Sequence, residues 1–333
     1  MVAGESSVPG DGSAGSDRRP APTGTGILRT SSHLDHPVED LVAAKAAQGL
    51  TASVVLPARN EEATVAEVVS AYLPLVGQGL VDELVVLDSL STDRTAARAA
   101  AAGARVVHAA DVRPELEAVP GKGEALWRSL GATTGDLVAF CDADVLDAGP
   151  HFVAGLLGPL LAEPEVALVK GFYQRPILDD DGEPRETGGR VTELTARPLL
   201  NLYRPELGRM VQPLAGEWAG RRSLLEALPF PVGYGVEVAV LLDAHERLGL
   251  GGLAQVDLGC RTHRRQSQDA LGVMAAQVAA AALRRLGLEP EGHAMVQFSP
   301  DGHVPRETPL TFVERPPWAS LAPATGADAA LSR

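Results

Sequence analysis

Two carboxylates separated by one residue, Asp142-Ala143-Asp144, follow the apolar run Leu137-Val138-Ala139-Phe140. In extended backbone residues i and i+2 project to the same side, so the pair converges on one point. Hard oxygen donors of this kind hold Mg²⁺ or Mn²⁺, which keep waters and accept diphosphate oxygens as further ligands. Two other apolar runs end in polar segments. Pro57-Ala58-Arg59-Asn60-Glu61-Glu62 follows Ser53–Leu56, and Asp88-Ser89-Leu90-Ser91-Thr92-Asp93-Arg94-Thr95 follows Glu83–Leu87. Both also fit plain helix capping, with Asn60 as N-cap, Glu61 and Glu62 in the first turn, and Asp93 capping the next helix. Lys122 stands between Gly121 and Gly123, where the backbone can approach an anion and an ammonium can meet it; an exposed turn lysine is the plainer account. Gly188-Gly189-Arg190-Val191-Thr192 has the makings of an anion cradle: glycines that free N–H groups, an arginine fork, a hydroxyl, and a helix starting at about Thr192. A loop ending in a Thr N-cap explains the same residues.

These segments are placed by an alternating pattern. Strand Ser53–Leu56 precedes a helix over 62–72. Strand Glu83–Leu87 precedes an Ala-rich helix over 95–102 that Gly103 ends. Strand Ala104–Val107 precedes helix 123–130, and Leu137–Phe140 follows. Strand and helix units with continuous apolar strands predict an α/β fold with a mostly parallel sheet covered on both faces. Ligands then sit beyond the carboxyl ends of the strands, where all these polar segments fall. A later stretch, GVEVAVLLDAHERLG, predicts a helix over 237–248, and Glu237 at its start suits the dipole there.

Composition narrows the class. The chain has 333 residues, 45% of them apolar, and 29 Lys+Arg against 43 Asp+Glu give a net charge of −14. That balance, without a basic block, excludes the footprint of a nucleic-acid binder or a basic membrane anchor. An anionic ligand must be met by a local cation cluster or a metal. No apolar run reaches the roughly 18 residues of a membrane span. Cys141 and Cys260 are too few for a disulfide framework, and the N-terminus lacks an apolar leader core, so a cytoplasmic, reducing setting is expected. The Gly/Ser/Pro-rich residues 1–30 and the Pro-containing 314–333 are expected to be mobile tails outside the fold.

Taken together, P-A-R-N-E-E, D-S-L-S-T-D-R-T, G-K-G-E-A-L at 121–126 and D-A-D at 142–144 resemble the nucleotide-sugar half of a GT-A glycosyltransferase, over about 51–145. With Gly188–Thr195, Gly233-Tyr234-Gly235-Val236-Glu237 and Arg261-Thr262-His263-Arg264, the order and spacing are similar to the actinobacterial glucosyl-3-phosphoglycerate synthases over about 45–300. These are retaining enzymes related to mannosyl-3-phosphoglycerate synthases. The resemblance implies a GT-A type, Rossmann-like nucleotide-sugar half at 31–145 and an acceptor-binding and C-terminal half at 146–313. It implies transfer of glucose from UDP-glucose to the 2-hydroxyl of 3-phosphoglycerate, with release of UDP. A GDP-mannose donor, another GT-A transferase, a nucleotidyltransferase and a dead-site sensor or scaffold are the alternatives.

Residue by residue, the resemblance puts Pro57, Ala58, Arg59, Asn60, Glu61 and Ser89 around the uridine, and Lys122 beside the uracil or diphosphate. Asp142, Ala143, Tyr234, Glu237 and Arg261 are further donor contacts, with Glu237 facing sugar hydroxyls. Asp144 and His263 are implied as the ligands of Mg²⁺ or Mn²⁺, and Asp144, Glu237 and His263 as the catalytic set. Gly189, Arg190, Val191, Thr192 and Arg265 are implied for the acceptor. A lone histidine is otherwise more often a structural hydrogen-bonder. Gly216–Arg222 resembles the segment that closes over the sugar, although Trp218 equally suits a core anchor. No carboxylate reads as a nucleophile for double displacement, Glu237 being the only candidate, so front-face attack is expected. A homodimer is implied by resemblance alone.

Overall fold

The computed structural model describes residues 26–174, 176–178, 184–186, 189–261, 268–298 and 304–322. In chain order the elements are β1 (Arg29–Ser32), α1 (Val38–Gln48), β2 (Ala52–Ala58), α2 (Val65–Gly77), β3 (Glu83–Asp88), α3 (Thr95–Ala101), β4 (Arg105–His108), α4 (Lys122–Ala132), β5 (Leu137–Phe140), α5 (Pro150–Ala162) and β6 (Leu168–Gln174). They continue with β7 (Pro176–Leu178), β8 (Pro184–Glu186), α6 (Arg197–Tyr203), β9 (Trp218–Arg221), α7 (Arg222–Leu225), β10 (Phe230–Pro231), α8 (Val236–Leu248), β11 (Leu253–Cys260), α9 (Gln268–Arg285), β12 (Ala294–Phe298), β13 (Pro305–Pro309) and β14 (Glu314–Arg315).

Eight strands form one sheet in the order β1-β11-β6-β9-β5-β2-β3-β4. All neighbours are parallel except β9, which runs antiparallel to both β5 and β6. The apolar runs read from sequence are the central strands, and alternate residues serve opposite faces. Val54, Leu56, Leu84 and Val86 belong to one core cluster, while Val55, Val85 and Leu87 belong to the other. Both faces are therefore roofed by helices, which is why these strands are apolar throughout. Truncating a wholly buried residue such as Leu56 to Ala should cost about 2–5 kcal/mol.

Three expectations need correction. Asn60 does not cap α2, which begins at Val65 and not at Glu62. The Glu61 carbonyl accepts from the N–H groups of Thr64 (3.1 Å) and Val65 (3.0 Å), making a turn first. The boundary at residue 30 is also displaced, because Arg29–Ser32 pairs in register with Ala254–Asp257 as an edge strand. The expected mobile segment from 314 begins instead with packed structure. Glu314–Arg315 pairs with Phe230–Pro231, and the Trp318 ring lies edge-on to Trp127, centroids 4.8 Å apart. Hydrophobicity averaged over 314–333 conceals one tryptophan and one arginine that find partners in the body of the fold.

Candidate active site

Sheet geometry brings the carboxyl ends of β2, β3, β5, β6 and β11 to one rim, and the entry to antiparallel β9 to the same place. Backbone bonds lock these ends together: Ser89 N–H donates to the Ala58 carbonyl (2.8 Å), Cys141 N–H to Val55 (3.1 Å), and Arg261 N–H to Gln174 (3.0 Å). The first two polar loops are tied to each other. Asn60 adopts a left-handed φ of 58°, and its Oδ1 accepts from the Thr92 N–H at 2.8 Å. Asparagine tolerates that backbone better than most side chains. Asp93 is not the N-cap expected of it: Arg94 holds that position before α3, and Asp93, one residue earlier, accepts from the Thr95 N–H at 2.9 Å.

At the centre stands a buried ionic network. Lys122 Nζ lies 2.7 Å from Asp142 Oδ1 and 2.8 Å from Glu237 Oε1. Arg261 reaches Asp142 and Asp144 with Nη2, each at 3.2 Å, and Glu217 Oε1 with Nη1 at 2.6 Å. Tyr173 donates its hydroxyl to Glu217 Oε2 (2.9 Å). Gly216 is required here: a Cβ at that position would lie 2.1 Å from Asp142 Oδ2.

Electrostatics follow from this wiring. Burial works against the charge of Lys122, but Asp142 and Glu237 outweigh it and lift its pKa well above the ordinary lysine value. Burial likewise disfavours the Asp142 carboxylate, yet Lys122 and Arg261 hold it well below the usual range. Asp144 goes the other way, raised by burial and then by the charge of Asp142. Asp144 keeps 46% of its side chain exposed, the outermost of the four carboxylates here.

The donor set suits a hard divalent cation. Among the described residues no three His, Cys, Asp or Glu form a cage for a metal. Asp144 presents an exposed oxygen whose anionic form is disfavoured, and a cation beside it would relieve that penalty while taking its other ligands from water and phosphate oxygens.

The remaining expected residues fall unevenly. Ser89 is buried with a hydroxyl that finds no partner among the described residues, a polar atom suited to a bound ligand. Ala58, Ala143 and Val191 bury their side chains in the cores, so only their backbone can face a ligand. Pro57 and Glu61 are half-buried on the same rim, and Arg59 is turned to solvent. Tyr234 is 44% exposed, its N–H donating to Gln277. Gly189 is half-buried, Arg190 exposed and Thr192 buried. A π turn over Thr192–Ala196 leads into α6, and helical backbone begins at 190. Single π turns are frequent at functional sites. Val191 joins the core cluster, and the turn over Thr192–Ala196 packs against α9. His263 and Arg265 lie outside the described residues. Trp218 is a core anchor, with no exposed surface and its ring 4.3 Å from Phe140.

Sequence reading missed three residues. Glu217 and Tyr173 hold Arg261 from behind. Lys170 on β6 is buried under Trp218, donates to the Ala215 carbonyl at 2.7 Å, and has its pKa lowered by burial to about 7. Only Glu217 left a trace, as the neighbour of Gly216 in the segment thought to close over a sugar.

Comparison with known proteins agrees with this geometry. The model of glycosyl transferase family 2 matches residues 53–228. The chain is 54% identical over 288 residues to the glucosyl-3-phosphoglycerate synthase of Mycolicibacterium smegmatis, covering 86% of this chain and 94% of that protein. Its likeness to the synthase of Petrotoga mobilis is 42% over 308 residues, 89% and 95% of the two chains. Among solved structures it is similar to the Mycobacterium tuberculosis synthase in complex with Mn²⁺, UDP-glucose and phosphoglyceric acid, with TM-score 0.79, 50% identity, and 88% and 98% of the two chains covered. The same enzyme with Mn²⁺, UDP and glucosyl-3-phosphoglycerate gives TM-score 0.79, 50% identity, and 88% and 99% coverage.

Proposed function

The chain belongs to glycosyl transferase family 2 and, within it, to the glucosyl-3-phosphoglycerate synthases, and from that membership we propose that it transfers glucose from UDP-glucose to the 2-hydroxyl of 3-phosphoglycerate, with retention at the anomeric carbon and release of UDP. The observation that carries the reading is the strand-end corner where Lys122 joins Asp142 to Glu237, beside the exposed carboxylate of Asp144. It offers cation and carboxylate side by side, as a sugar diphosphate requires.

In this reading Asp144 and His263 hold Mg²⁺ or Mn²⁺, which when bound supplies positive charge to the leaving diphosphate. Asp142, held by Lys122 and Arg261, faces the nucleotide side. Pro57–Glu61 and Ser89 surround the uridine, the Ser89 hydroxyl gaining the partner it otherwise lacks. Glu237 accepts hydrogen bonds from sugar hydroxyls, a geometry that discriminates epimers. Gly189, Arg190, Thr192 and Arg265 meet the phosphate and carboxylate of the acceptor.

Retention needs either two displacements or attack from the departing face. Glu237 is ion-paired to Lys122, and Glu217 is wholly buried beneath Arg261 and Tyr173. Neither is placed as a free nucleophile. Front-face attack, with a donor phosphate oxygen taking the acceptor's proton, is the route these positions favour.

A homodimer in the cytosol completes the reading, the cytosol being supported by two unpaired cysteines, Cys141 and Cys260. No helix among the described residues is long and apolar enough to cross a membrane. Product analysis tests the function. Incubation with 3-phosphoglycerate and Mn²⁺ should yield glucosyl-3-phosphoglycerate from UDP-glucose and far less product from GDP-mannose. A preference for GDP-mannose would overturn the donor assignment. For His263→Ala, the Mn²⁺ concentration at half-maximal rate should rise with little change in metal-free melting temperature, and an unaltered metal titration would remove the residue from the metal shell.

A further inference from the structure

The segment from Val313 to Leu321 crosses the back of the donor corner. Its strand β14 pairs with β10, and the Val232 N–H donates to the Val313 carbonyl at 3.0 Å. On its other side β10 presses against the start of α4. A Cβ at Gly123 would lie 1.7 Å from the Pro231 carbonyl oxygen, and the Glu124 N–H donates to Val232 at 3.0 Å. Arg315 then reaches over β10 to the wholly buried Glu124 carboxylate, with bonds of 2.6 and 2.8 Å. One turn later Trp127 donates its indole N–H to the Pro316 carbonyl at 2.8 Å, and Trp318 packs against its ring.

The same segment grips the second helix. Glu314 pairs with Arg285 of α9, and Arg285 bonds Asp243 of α8 at 3.0 Å. Lys122 is the first residue of α4 and Glu237 the second of α8, and their side chains meet at 2.8 Å. We infer that residues 313–321 form a strap that sets the spacing of the α4 and α8 N-termini, making Arg315 and Trp318 positioning residues for the Lys122–Glu237 pair that receives the sugar donor. This rests on the donor reading of that corner. Substitutions in the strap should therefore act on donor binding and turnover more than on the acceptor segment at 189–192, because the strap contacts named here fall on α4, β10 and α9.

Arg315→Ala is the informative variant, because Glu124 retains Arg128 at 2.6 Å and so keeps a buried cation. In the full-length chain with Mn²⁺, the KM for UDP-glucose should rise about tenfold and kcat fall several-fold, with the KM for 3-phosphoglycerate within about twofold, as expected when a binding group is misplaced by a fraction of an ångström. Arg315→Lys should recover part of the loss, since an ammonium can meet Glu124 but cannot fork. Trp318→Ala gives a second reading without a change of charge. Leu75→Ala, wholly buried in the core cluster on the opposite face, is the control that should lower Tm and leave the UDP-glucose KM alone. An unchanged UDP-glucose KM in both strap variants overturns the inference, as does an equal rise for donor and acceptor, the mark of a merely structural role. If the wild type turns over a different nucleotide sugar, the proposed function fails, and the same split read with that sugar still decides the strap.

Discussion

The two ends of the candidate site are built on opposite principles. At the donor corner, Arg261, Glu217 and Glu237 are buried, Lys122 and Asp142 are partly buried, and all five are cross-linked by ion pairs. At the segment 189–192, Arg190 is exposed at a helical start, and only Val191 and Thr192 are buried. A buried charge network is fixed before any ligand arrives, because each member is expensive to leave unpaired. A side chain at the surface can rearrange toward a ligand without breaking a buried charge network. On the proposed assignment of donor and acceptor, the difference means that the donor side is preorganised for charge that would develop in the reaction, whereas the other end would need only to recognise an anion.

The contrast should be widest at Asp144. Asp144→Ala is expected to lower turnover by a factor of about 1,000 or more, on the scale of losing one preorganised electrostatic contact and its metal. Excess EDTA should do the same to the wild type, and a Tm near that of the wild type would separate chemistry from folding. Full activity in EDTA would remove metal from the donor side.

Next in size is the Lys122 pair. Lys122→Met strips Glu237 of its cation and leaves Asp142 with Arg261 alone, and should cost about 3 kcal/mol of stability along with donor binding. Lys122→Met combined with Glu237→Gln should regain much of the Tm and none of the turnover. Recovery of activity in the double variant would show that the pair is only structural.

Arg190→Ala should behave differently. Losing one charge-assisted fork at an exposed position should raise the KM for 3-phosphoglycerate about ten- to a hundred-fold, with Tm and UDP-glucose KM nearly unchanged. A raised donor KM with an unchanged acceptor KM would erase the distinction between the two ends.

A further effect, on stability alone, concerns Lys170, whose pKa burial lowers from 10.5 to about 7, despite the opposing pull of Glu237, Glu217 and Asp142. Between those two values the unfolded chain holds a proton that the folded chain has released, so this residue's contribution to stability improves as pH rises through the window. Below about 7 it is charged in both states and its burial penalty is felt in full. Lys170→Met should therefore compare best with the wild type near pH 6 and worst near pH 10, read as the difference in Tm. A difference that does not change with pH would show that Lys170 keeps its charge throughout.

Much of this was legible in the sequence. Continuous apolar runs followed by helical patterns determined the parallel strands, because a strand covered on both faces must be apolar at every position. Asp142 and Asp144 do come together, but not by extended backbone as expected: β5 ends at Phe140, Asp144 lies in the turn that follows, and Arg261 Nη2 reaches both carboxylates at 3.2 Å. Gly121 and Gly123 were expected to let the backbone approach an anion, but the structure packs the chain's own carbonyls of Val232 and Pro231 against them instead. What the chain did not disclose was decided by contacts across large separations. Glu217 and Tyr173 are 44 residues apart, Arg261 is a further 44 beyond Glu217, and Arg315 lies 191 residues from Glu124. No local periodicity encodes such pairings. Asn60 looked like a cap and became a tie between loops. Trp318 looked like part of a tail and became a core contact. In each case the side chain's chemistry was visible from the start, but its partner existed only once the antiparallel β9 and the returning strap had brought distant segments to one rim.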